Sequence, residues 1–123
     1  MKSRARSIVS WIVAVLVGLM FIAAGVGKFQ MSEAFASRFE AWGYPAGLSP
    51  IVGAAELVGG LMVLIPATAV YGAGIIAVVM VGATYTHLAT GIGSPMSALI
   101  GLTLALILIW LRWSDRWWPK TDS

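Results

Sequence analysis

The stretch that decides the fold is Ile8–Phe29, IVSWIVAVLVGLMFIAAGVGKF. It is apolar over about 20 residues, the length a helix needs to cross the hydrocarbon core of a bilayer. Its one charge, Lys28, comes near its end. Three similar runs follow, at about 48–65, 69–89 and 96–111. Pro45 and Pro50 flank the start of the second and Pro66 closes it. Gly91, Gly93 and Pro95 separate the third from the fourth, which stops at Arg112. A proline near the start of a helix is tolerated, because its missing N–H has no intrahelical partner there.

The whole composition agrees with these spans. Of 123 residues, 59% are hydrophobic and 11% charged, against roughly 45–50% and 25% in an average soluble domain. Too few polar residues remain to cover a soluble surface. The balance excludes a soluble globule, a disordered chain and a nucleic-acid module, and no nucleic-acid partner is expected. The chain has no Cys, which excludes disulfides, thiol redox chemistry and Cys-ligated metal centres within it. The expected fold is all-α: an integral membrane four-helix bundle, one membrane domain over residues 1–123. The first span carries Lys2, Arg4 and Arg6 like a signal peptide. Its apolar run exceeds the ~7–15 residues of a signal core, so it is read as retained.

Basic residues mark the cytoplasmic side of a membrane protein. Lys2, Arg4 and Arg6 precede the first span, and Arg112, Arg116 and Lys120 follow the last. Both termini are therefore expected in the cytoplasm. Trp11, Tyr71, Trp110, Trp113, Trp117 and Trp118 form the inner aromatic belt, and Trp42, Tyr44 and Tyr85 the outer one. In the first loop, Phe35, Phe39 and Trp42 recur at helical spacing, with Met31 extending the stripe. Ser32 suits an N-cap, and Gly43–Tyr44–Pro45 supplies a stop. The spacing predicts a short amphipathic helix over about 32–42 in the outer interface, either a structural lid or a gate above a site. Small-residue pairs, including Ala14/Gly18, Ala23/Gly27, Ala55/Gly59 and Gly101/Ala105, are expected at helix contacts.

Three ionisable residues fall at one depth. Lys28 ends the first span, and His87 lies in the last turn of the third. Glu56 is about eight residues into the second, or about 12 Å along its axis. Charge inside a bilayer costs about 2.5–3.5 kcal/mol on insertion scales, so such groups face the interior and find partners. Lys28 shares its face with Phe21, Ala24 and Gly25; Glu56 with Gly53, Gly59 and Gly60; His87 with Met80, Ala83 and Thr84. Singly, Lys28 can snorkel and His87 can sit in wet interface. Glu56 is too short to reach water and needs a partner. Lys28, Glu56 and His87, with Tyr85 beside them, are the candidate polar or ligand-binding cluster. No metal site is expected, and one His cannot supply bis-His haem ligation.

Read in order, these motifs resemble the DoxX / DoxX-like family of small four-helix membrane proteins. The resemblance rests on Gly25–Val26–Gly27–Lys28–Phe29, on Trp42–Gly43–Tyr44–Pro45, on Gly53–Ala54–Ala55–Glu56–Leu57–Val58–Gly59–Gly60 and on Ala83–Thr84–Tyr85–Thr86–His87. It implies a bundle in the bacterial cytoplasmic (inner) membrane and a link to quinone-dependent or thiol-stress redox complexes. It places Lys28, Glu56 and His87 on the family's recurrent polar positions. Nothing in the sequence resembles a dedicated thiosulfate-binding motif.

Three functions follow as expectations. The first is a small integral subunit of a quinone-linked redox complex, accessory to an oxidoreductase rather than a complete enzyme. His87 or Tyr85 would hydrogen-bond a quinone carbonyl, and Glu56 would relay protons. No cofactor is expected to be bound covalently, and quinone is the expected ligand. The second is a non-catalytic membrane anchor or assembly partner, with the Trp-rich tail or the outer helix as docking surface. The third is a small-solute carrier or proton path. The expected partners are membrane lipid and either a second protein or further copies of the chain.

Overall fold

The structure, a computed structural model, describes residues 4–113. Lys2, Arg116, Trp117, Trp118 and Lys120, used in the charge and aromatic readings, lie outside the described residues. The described residues form five helices and no strand. They are α1 (Arg4–Gln30), α2 (Ser32–Ala41), α3 (Leu48–Val63), α4 (Ala69–Thr90) and α5 (Met96–Arg112). Of these, α1 and α4 are long and apolar enough to cross a membrane, while α3 and α5 are apolar but shorter.

Helix α3 ends at Val63 because Pro66 has no N–H to continue it. Thr68 closes the turn by donating from Oγ1 to the Met62 carbonyl at 2.8 Å. Gly91 ends α4 in the left-handed conformation, φ +69°, and donates its N–H to the His87 carbonyl. Ser32 departs from its expected role. Met31 holds the N-cap position of α2, and no side chain caps it. The α1–α2 junction is instead almost continuous: Met31 N–H donates to Gly27 and Phe35 N–H to Met31. Ser32 is thus the first helical residue of α2, past the position from which a side chain caps.

Helix α1 pairs with α3 and α5, and α4 pairs with α3 and α5. Sequence neighbours run antiparallel. Gly18 lies against Gly60, and Gly25 against Gly53, so α1 rises as α3 descends. Gly59 and Gly72 repeat this between α3 and α4. A Cβ on Gly25 would stand 2.6 Å from the Gly53 carbonyl, and one on Gly60 2.9 Å from that of Gly18. Only glycine allows this backbone approach. The contact pairs differ from one expected above: Ala23 is exposed and Gly27 meets only Met31, just beyond the end of α1. The core contains Val17, Phe21, Val63, Ile76, Met80 and Leu108, with Ala14, Ala73 and Ala105 where helices come close.

At the end formed by the start of α1 and the finish of α5, two arginine–tryptophan contacts interlock. Arg6 lies over Trp110 at 4.6 Å and Arg112 over Trp11 at 4.4 Å. Arg112 is 2% exposed. The opposite end carries α2 and the candidate site.

Candidate functional site

Lys28 comes to the site because α1 stays helical to Gln30 and Gly53 leaves room beneath its stem. A Cβ on Gly53 would meet the Lys28 Cβ at 2.9 Å. This lays the ammonium on Glu56, one turn further along α3, with Nζ 2.6 Å from Oε1. The side chains are 12% and 4% exposed. Two charges so far from water offset each other's desolvation only as a pair; removing either strands the other. The Lys28 ammonium also lies 4.9 Å from the centre of the Phe35 ring, and the Arg38 guanidinium lies 4.8 Å from it.

His87 is held from the following loop. Its Nδ1 stands 2.8 Å from the Ile92 carbonyl. A carbonyl only accepts, so Nδ1 carries the proton, and in the neutral ring Nε2 is left as an acceptor. Gly93, at φ +80°, makes this possible. Its backbone favours glycine, and a Cβ there would meet Nδ1 and Cε1 of His87 at 2.9 Å. On its other flank the imidazole packs edge to face with Trp42, the ring centres 5.2 Å apart.

Lys28, Glu56 and His87 line one cavity of about 290 Å³. Its remaining wall is apolar, chiefly Met20, Phe21, Val52, Val79 and Met80, and Phe35, Arg38, Phe39 and Trp42 of the α2 segment cover it. A second cavity of about 260 Å³ adjoins it, sharing Phe39, Trp42, Val52, Val79 and Ala83. Its polar feature is a bond between Tyr44 and Thr86, 2.7 Å from Oη to Oγ1. Thr86 already donates to the Gly82 carbonyl at 2.8 Å. Tyr44 is therefore the donor, and the bond ties the loop after α2 to α4. Phe39 stacks between Trp42 and Tyr44, with ring centres at 5.3 and 6.2 Å.

The four residues singled out from sequence thus divide. Lys28 and Glu56 are paired, and His87 lines the same cavity but bonds to Ile92. Tyr85 is 67% exposed and lines neither cavity. About 100° round the helix, its neighbour Thr86 faces inward in its place. Sequence reasoning missed Arg38 and the Tyr44–Thr86 link. Arg38 had a readable signal: it falls three residues after Phe35 and four before Trp42, so it shares the apolar face of α2. Tyr44 had none, since its partner is 42 positions away. Among the described residues, no three His, Asp or Glu side chains come together in a way that could hold a metal ion.

The geometry defines a class: a small all-helical protein, with two helices able to cross a membrane and a charged cavity beneath an amphipathic cover. Comparison with known families gives the particular one. The model of the DoxX-like family matches residues 12–111, and the chain belongs to that family. No curated protein and no solved structure matches it.

Proposed function

We propose that the chain is a small integral membrane subunit of a quinone-linked redox complex. In this reading α1, α3, α4 and α5 form a four-helix bundle in the bacterial cytoplasmic membrane. Both termini are cytoplasmic, and the cavity lies in the outer half of the bilayer. The observation that carries the proposal is the meeting, on one cavity wall, of a buried Lys28–Glu56 ion pair with a histidine whose tautomer is fixed.

The volume is at the low end of ligand pockets, about the size for a single ring system. A quinol hydroxyl would donate to His87 Nε2. On oxidation both C–OH groups become C=O. Two electrons leave to a redox centre of a partner subunit, since this chain supplies none. One proton passes to Nε2 and the second to the Glu56 carboxylate, whose pairing with Lys28 then loosens until the proton leaves. A hydrophobic wall keeps water from competing for these positions.

The test is binding of a short-tailed quinol, kept reduced under anaerobic conditions, to the purified chain in lipid nanodiscs, measured by equilibrium dialysis. Glu56→Gln and His87→Leu are each expected to weaken binding about tenfold, the loss of one good polar contact of about 1.4 kcal/mol. Absence of binding in the unaltered protein, or binding indifferent to both substitutions, overturns the proposal.

A second reading rests on a different observation. The ion pair sits beside the Gly25–Gly53 contact of the α1–α3 seam, where the Lys28 stem packs on Gly53. As a non-catalytic anchor, the chain would use the pair to fix helix register, and a partner would dock elsewhere. Retention of that partner by the double variant Lys28→Met/Glu56→Gln, with quinone binding absent, favours this reading.

A further inference from the structure

The lining of the first cavity is unbalanced in charge and in hydrogen-bond donors. The charge of Lys28 is spent on Glu56 at 2.6 Å. Arg38 adds a second cation, stacked on Phe35 and with no carboxylate partner among the described residues. One turn further on, at the C-cap of α2, the Trp42 indole Nε1–H is buried with no acceptor among the described residues. A buried donor left without an acceptor costs about 1–3 kcal/mol. An exposed guanidinium and a buried ring N–H, four residues apart, thus stand over a cavity whose other walls are mostly apolar.

We infer that Arg38 and Trp42 form a seat for the carboxylate of a single-chain amphipathic acid, whose apolar chain enters the adjoining cavity. The planar guanidinium fork matches a carboxylate and is always charged. The indole N–H can donate to the same head group. Trp42 and Phe39 line both cavities, so a head held at Trp42 has its chain directed past Phe39 toward Leu48, Val52 and Val79. A cavity of about 260 Å³ admits one short chain and not the paired chains of a phospholipid. The site is separate in chemistry from the quinone reading and does not rest on it.

The experiment uses the full chain in phosphatidylcholine nanodiscs at mildly alkaline pH. The probe is 2-bromo-undecanoic acid, whose bromine beside the carboxylate quenches a tryptophan in contact with the head group; 2-bromo-undecanol is the control. The acid should give saturable quenching at least about tenfold tighter than the alcohol. Arg38→Gln should weaken it about tenfold, and Trp42→Phe, which removes the reporter, should weaken binding of the acid when measured by equilibrium dialysis. Equal quenching by acid and alcohol, or full affinity in Arg38→Gln, overturns the inference. So does loss of the saturable component when phosphatidylglycerol replaces part of the neutral lipid, which would assign the seat to a lipid phosphate. The probe has no redox chemistry. Its failure to bind therefore leaves the quinone proposal intact, and failure of quinone binding leaves this one intact.

Discussion

The two ends of the molecule use the same residue types to opposite effect. At the α1 start and α5 finish, Arg6 and Arg112 lie directly on Trp110 and Trp11, and Arg112 is buried. Each cation is matched to one aromatic face. At the other end Lys28, Arg38, Phe35, Trp42 and His87 stand around a cavity of about 290 Å³. There the cations outnumber the carboxylate, and a ring N–H lacks an acceptor. Cationic and aromatic residues in a helical protein therefore do not by themselves indicate a site. What sets the second end apart is a buried Lys28–Glu56 pair and a histidine on one cavity wall.

That contrast can be broken. The largest effect is expected from Lys28→Met, which strands the buried Glu56 carboxylate and should cost about 3–5 kcal/mol of stability. Lys28→Met/Glu56→Gln should recover most of the loss, because no lone charge remains. Denaturation in mixed micelles measures both. A double variant as unstable as the single one would show that packing at Gly53, not charge, holds that end together.

A smaller loss, about 1–3 kcal/mol, is expected from Gly93→Ala, where left-handed backbone strain adds to a clash with His87. Its diagnostic readout is the imidazole nitrogen spectrum, since the ring must leave the Ile92 carbonyl. An unchanged spectrum would mean that the loop does not set the tautomer. The smallest change is expected at the opposite end. Trp11→Leu keeps much of the apolar contact and removes the cation–π partner of Arg112, a loss of about 0.5–2 kcal/mol. It should leave ligand binding at the far cavity untouched. Altered ligand affinity in Trp11→Leu would show that the two ends are coupled.

Much of this was legible in the sequence. The helical stretches follow from apolar runs bounded by proline and glycine, and the amphipathic α2 from Phe35, Phe39 and Trp42. Glu56 could be singled out because a short acidic side chain deep in an apolar helix demands a partner. Lys28 followed as the nearest available cation. The choice of Tyr85 over Thr86 was not decidable locally. Neighbouring helical residues differ by about 100° in direction, and the hydropathy of α4 is nearly uniform around its axis. Which glycines meet was equally undetermined: Gly25 and Gly27 read alike, yet one touches Gly53 and the other meets only Met31 of the α1–α2 junction.

The sequence by itself determined that the chain is helical, where its helices break and that Lys28, Glu56 and His87 need accounting for. Those properties follow from local periodicity and from the cost of charge in apolar surroundings, which act residue by residue. Only the tertiary structure decided that Lys28 and Glu56 pair while His87 turns to Ile92, that Tyr44 holds Thr86, and that Arg38 and Trp42 overhang a cavity. Those outcomes depend on how closely glycine lets each backbone approach the next. A spacing set by contact between distant segments has no local sequence signature.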